Sequence, residues 1–396
     1  MSIFTSRPAA RWAAPAIAAV AVVGAGVAAK TLAVAAEPDL APRSAAQLLV
    51  DLQTASLDGL SGTVVERADL GLPAITSMLG NLAPGGAGAT GPGSANLTSL
   101  ISGKHTLRVW YSGPDKARVA LVGTSGESDV IRNGKDVWIW DSKANTASHH
   151  VLSDKDQAAA PKELPKDLTN QMPKTPQEAA DLALKAIDPT TVVSVGNSAK
   201  IAGRNAYELI LSPRDTSSLV GQVRLAIDAK QHVPLRVQVL PKGSSQPAVE
   251  VGFTQVSFAR PDDAQFKFTP PAGAKVTEGD QPDPNKAGKK VPGAPDKPGQ
   301  PDKPSAGHDQ GKTTVIGKGW TAVFVARMGA NGSADAANSP EAQSFLNQLP
   351  KAANGGRVLT SKLFSVLLTE DGRILVGAVS PQRLAQVAAD PAAQLK

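Results

Sequence analysis

The chain has 396 residues, 41% of them hydrophobic, which is ample for more than one core. Its formal net charge is +6, but no Arg/Lys face with interleaved aromatics stands out, so nucleic acid is set aside as a partner and attraction to a membrane surface is favoured. There is no cysteine, which excludes disulfides, thiolate metal sites, cysteine catalysis and a lipidated N-terminal Cys.

Arg7 and Arg11 form a positive start, Trp12 to Ala29 an apolar run, and Thr31 to Ala36 a stretch of mostly small residues. Val34 and Ala36 suit the −3 and −1 positions of a signal peptide cleaved before Glu37. The competing reading is an uncleaved anchor, because the run reaches the ~18 apolar residues of a candidate spanning helix. Both place the remainder outside the cytoplasm.

Ser44 with Gln47 three residues on is a capping-box spacing, and Leu48, Leu49 and Leu52 give the following helix its apolar stripe. Leu60 to Arg67 reads as the first strand. An excursion from 68 to 103 follows, with Leu72, Ile75, Met78, Leu79 and Leu82 at helical spacing before a Gly-rich stretch. It is either an insertion docked on the core or a lid over an apolar cavity, since long loops in compact domains are often functional.

Thr106 to Leu152 reads as a β-meander: β-branched and aromatic runs alternate with turn residues. Asn133-Gly134 is its strongest hairpin signal, expected to hold two positive-φ positions. Alternation puts Leu107, Val109 and Tyr111 on one face, and Trp138 and Trp140 on a face opposite the equally apolar Val137 and Ile139. Part of this sheet is therefore covered on both sides. Crowding of aromatics here fits core packing, and it also fits the wall of a ligand cavity. The candidate wall is Val109, Tyr111, Val119, Leu121, Ile131, Trp138 and Trp140.

Thr175-Pro176-Gln177-Glu178 starts a helix running to Ile187. A second meander from Thr191 to Phe268 alternates more cleanly, with turns expected at Gly203-Arg204-Asn205 and Asp228 to Gln231. Residues 278–312, rich in Pro, Asp, Lys and Gly, read as a disordered linker. Beyond it come strands from Trp320, Val358, Leu363 and Ile374 and helices started by Ser339-Pro340 and Ser380-Pro381. These form either a small α+β unit or strands that extend the main sheet.

No catalytic constellation appears: there is no Gly-x-Ser-x-Gly elbow, phosphate loop, dinucleotide fingerprint or His-Glu-x-x-His. His149 and His150 are neighbours on a strand, point to opposite faces and cannot chelate one ion together. The sequence therefore reads as a non-enzyme with neither a cofactor nor a metal.

Several runs carry a resemblance. W-Y-S-G-P-D-K-A-R-V from Trp110, V-I-R-N-G-K-D-V-W-I-W from Val130, I-A-G-R-N-A-Y-E-L-I-L-S-P from Ile201, L-A-I-D-A-K-Q-H-V-P-L-R-V from Leu225 and F-K-F-T-P-P-A-G-A from Phe266 are similar to the bacterial lipoprotein-carrier (LolA-like) superfamily, including its sigma-factor regulatory RseB/MucB-like branch. The similarity spans roughly Ala45 to Val276. It implies an α+β fold, an unclosed antiparallel β-barrel wrapped around helices, with an apolar cavity for acyl chains or lipidated peptides. It implies a lipid or a lipidated protein as ligand, or, in the regulatory branch, a membrane-bound anti-sigma factor as partner. The Gly-rich excursion looks larger than the family pattern, and the linker and tail have no counterpart in a simple carrier. The expected organisation is a signal peptide or anchor over 1–36, a lipid-binding domain over 37–277, the linker over 278–312 and a small α+β domain over 313–396.

Overall fold

The computed structural model describes residues 38, 40–72, 103–123, 126–152, 188–278, 313–327, 349–351 and 356–393. Ser44 opens helix α1 (Ala45–Thr54) with both halves of the capping box: its hydroxyl accepts from the Gln47 N–H, and its own N–H donates to the Gln47 side chain. The apolar stripe seats Leu48 and Leu49 against Tyr207, Leu209, Leu225, Ile227 and Val237.

The first meander comprises β1 (Leu60–Ala68), β2 (Gly103–Tyr111), β3 (Lys116–Gly123), β4 (Gly126–Asn133), β5 (Asp136–Asp141) and β6 (Thr146–Val151). The second comprises β7 (Thr191–Val195), β8 (Ala199–Ile201), β9 (Arg204–Pro213), β10 (Val220–Asp228), β11 (Pro234–Pro241) and β12 (Val249–Ser257), followed by β13 (Lys275–Glu278). All belong to one 13-stranded sheet, in the order β13-β6-β5-β4-β3-β2-β1-β12-β11-β10-β9-β7, with β8 attached to β9. The two meanders join where β1 pairs antiparallel with β12.

The sheet is open, as expected, but it is mixed where a purely antiparallel one was expected. β13 pairs parallel with β6, because the chain leaving β12 first crosses the sheet through a 3₁₀ turn at Asp263–Phe266. Of the helices expected within it, α1 alone lies on this sheet among the described residues. The helix expected from Thr175 to Ile187 lies outside them, as do Ile75, Met78, Leu79 and Leu82 of the expected lid.

Two turns shift by a residue from their expected places. Asn133 closes β4 opposite Asp136, so the loop is Gly134-Lys135, and Gly134 alone there takes the left-handed conformation at φ 64°. The β8–β9 loop is Ala202-Gly203, with φ 50° and 79°.

The tail builds its own sheet instead of extending the first: β14 (Thr313–Ile316), β15 (Val323–Arg327), β16 (Arg357–Thr360), β17 (Ser365–Leu368) and β18 (Arg373–Gly377), in the order β14-β15-β18-β17-β16. Helix α2 (Pro381–Ala388), capped by Ser380, buries Leu384 and Val387 against Val323, Val325, Leu367 and Leu375. The helix expected from Ser339 lies outside the described residues.

A seam joins the sheets. Val220, Ala248 and Leu363 cluster with Leu70, Trp320, Phe364 and Ala378. Across it the Leu219 N–H donates to the Ala378 carbonyl at 2.8 Å, the Trp320 indole N–H to Thr191 Oγ1 at 2.8 Å, and Lys362 pairs with Asp69 at 2.6 Å.

Candidate apolar binding face

Strand register assigns every side chain of the first meander to a face, because directly paired residues share one. Val109, Val119, Val130, Ile139 and Ser148 form one row across β2 to β6. With strands ~4.8 Å apart, the apolar part of the row spans roughly 15 Å. The row toward the hairpin loops contains Tyr111, Ala117, Arg132, Val137 and His150, and the row on the far side Leu107, Leu121, Ser128, Asp141 and Thr146. The same face continues through Val64 and Val251 into the core.

Burial along the central row changes abruptly. Val109 is 3% exposed, Val119 and Ile139 are half-buried, and Val130 is 48% exposed. β4 lies between β3 and β5, so Val130 is an apolar side chain open to solvent on an interior strand. A sheet that only closes a core puts polar residues on its wet face.

Val109, Tyr111, Val119 and Leu121 of the expected wall lie on this face. Ile131, Trp138 and Trp140 do not share it: the register turns them to the opposite side. There the segment after β12 covers them. Phe268 lies 5.4 Å from the Trp138 ring and 5.8 Å from Trp140, and Phe266 beside it is 1% exposed, as is Ile131. The aromatics thus form a closed layer, and the seven residues are not one wall. Leu72 is half-buried at the end of a described stretch.

Two titratable clusters flank this region. His149 stacks on Trp138 at 4.2 Å, its Nε2 is 2.8 Å from Asp136 and its Nδ1 2.9 Å from Glu278 on β13. Burial alone would lower the imidazole's pKa; the two carboxylates outweigh it and hold it above the ordinary value. His150 faces the other way and meets Ser148 Oγ at 2.8 Å, so the two histidines do point apart. The second cluster lies on the apolar face, where Glu66, 5% exposed, pairs with His105 at 3.1 Å. Burial raises the Glu66 carboxyl above its ordinary value, and His105 offsets part of that.

A cleft of about 490 Å³ opens elsewhere, at the turns around Gly203 and Lys230. Its floor is polar: Arg204 makes two bonds to Asp228, and the Tyr207 hydroxyl donates to the Ala41 carbonyl. Leu40, Ala41 and Ala229 complete a mixed lining. No cluster of three or more His, Asp or Glu side chains able to hold a metal occurs among the described residues.

Sequence reasoning missed Val130, Arg132, Val137 and Ile139 as members of the face. The signal was there: Val137 and Ile139 alternate against the tryptophans, and the hairpin carries that parity onto Val130 and Arg132.

A family model described as a predicted periplasmic protein (DUF2092) matches residues 95–278. No curated protein matches the chain. Among solved structures, it is similar to a chain of the Pseudomonas aeruginosa MucA/MucB complex, with 14% identity over 87% of this chain and 96% of that one and a TM-score of 0.40. It is similar to MucB alone, with 16% identity over 87% and 96% and a TM-score of 0.36. It is also similar to a LolA superfamily protein from Nitrosomonas europaea, with 12% identity over 57% and 99% and a TM-score of 0.22. Both branches named in the sequence resemblance are represented among these structures.

Proposed function

We propose that the protein is an extracytoplasmic, non-enzymatic binder of acyl chains, from a lipid or a lipidated protein, and that the chain lies across Val119, Val130 and Ile139. The observation that carries this reading is Val130, 48% exposed on an interior strand and continuous with the buried Val109 and Leu107. Covering it with an acyl chain removes apolar surface from water on both partners. In this reading the sheet folds partly around its helices, residues 37–277 form the binding domain and 313–396 a second domain behind the 278–312 linker. Native mass spectrometry of the purified protein tests it. Acyl ligands should be retained and lost on delipidation, and Val130→Ser should reduce reuptake. A wild-type protein that takes up no lipid probe would overturn the reading.

A second reading is favoured by the second sheet. Val315, Phe324, Val376, Val366 and Leu359 form one apolar row on the face opposite α2, with Val315 60% and Phe324 36% exposed. Such a face suits a protein partner, and a membrane-bound anti-sigma factor would make the molecule an envelope-stress sensor. Phe324→Asp should then abolish the transcriptional response while lipid binding stays intact; an unchanged response would remove the idea.

A further inference from the structure

The apolar row is flanked asymmetrically. The row on its loop side carries Tyr111, Arg132 and His150, whereas the far row carries Ser128, Asp141 and Thr146 and no cation. Two residues along a strand is roughly 7 Å, so Arg132 reaches past Val130 to the edge of whatever covers it. The Arg132 guanidinium is only partly committed: Nε donates to the Gly134 carbonyl at 3.1 Å and Nη2 to Asp115 at 3.2 Å. Asp115 is 66% exposed, and a pair of that kind contributes little in water. A phosphate bearing full charge and several acceptor oxygens competes well for such a guanidinium.

Resting on the acyl-binding reading, we infer that the ligand is an anionic phospholipid, its chain across Val119, Val130 and Ile139 and its phosphate against Arg132. The far row offers the same headgroup no cation, and this asymmetry sets the ligand's direction on the sheet. Asp115 then acts as a stand-in anion that holds Arg132 until the headgroup replaces it.

The test compares monomeric lysophosphatidylglycerol with the monoacylglycerol of the same chain length, which lacks the phosphate, read by native mass spectrometry on the full-length protein. Wild type should favour the anionic lipid by about tenfold, the scale of one charge-assisted bond. Arg132→Gln should bring the ratio near one, Arg132→Lys should restore part of it, and Asp115→Asn, which removes the competitor, should raise it. Val130→Ser should weaken both lipids alike. Thermal melts of each variant separate these effects from misfolding. A wild-type ratio near one, or an Arg132→Gln ratio equal to wild type, overturns the headgroup assignment while leaving chain binding standing. Failure of wild type to bind either lipid overturns both.

Discussion

Trp140 and Val130 lie on adjacent strands but on opposite faces, and exchanging their side chains for small ones should have opposite consequences. Trp140 is 8% exposed and packed against Phe268. Trp140→Ala removes a large ring from a closed layer, a change that costs about 3–5 kcal/mol. For a unit of this size that is on the order of a 10 °C loss in melting temperature. Val130→Ser touches a side chain already 48% exposed, so stability should move by about 0.5 kcal/mol or less. Its effect appears with ligand: the half of the valine still open has roughly 1 kcal/mol left to gain on burial, about fivefold in Kd. Differential scanning fluorimetry and a titration with a fluorescent fatty acid measure the two quantities on the same samples. If Trp140→Ala proved stable but unable to bind, while Val130→Ser unfolded early, the assignment of faces would be wrong.

Three further outcomes are expected. His149 has a raised folded-state pKa, so its bonds to Asp136 and Glu278 contribute fully below the ordinary imidazole value and are lost as pH rises through the raised one. Protection of the Lys275–Glu278 amides, taken as exchange relative to the intrinsic base-catalysed rate at each pH, should therefore fall at alkaline pH, and His149→Gln should show the low protection throughout; pH-independent protection in wild type would contradict this. Glu66 is an acid raised by burial, so its contribution is complete below the ordinary carboxyl value and lost as pH rises through the raised one. Glu66→Gln should flatten that part of the stability curve in chemical denaturation, and an unchanged slope would assign it to another group. Trp320→Ala should deprive Thr191 of its partner and open the seam, seen as faster proteolysis near residue 191 with both sheets still folded; resistance equal to wild type would argue that the indole bond is dispensable.

Local chemistry was largely legible in the sequence. The Ser44–Gln47 box, the hairpin strands and the Ser380-Pro381 start are each decided within a few residues, by orphan backbone groups or by side-chain alternation. The one-residue shifts at Asn133 and Arg204 have the same local origin: Gly134 supplies the left-handed position of its loop without help from Asn133, while Ala202 and Gly203 both take left-handed backbone and leave Arg204 to open β9. Cover was not legible. Whether Trp140 or Val130 faces water depends on Phe266 and Phe268, more than a hundred residues away, coming to lie over one side of β4 and β5. A count of aromatics favours the tryptophans as a ligand wall because large rings look like contacts in waiting; here their partner is the chain itself. The parallel pairing of β13 is non-local in the same way, since its direction follows from the crossover that delivers Phe268.

The stitching between Leu219 and Ala378 and the shared cluster of Val220, Ala248 and Leu363 have a practical corollary for anyone trimming this gene. A product that stops before Thr313 is not merely shorter. It would present Leu70, Val220 and Ala248 as a raw surface, prone to self-association, and a phenotype seen with it would report stickiness as readily as a missing signal. Point changes on the outer row of the second sheet leave that surface sealed and are the cleaner way to ask what the tail does.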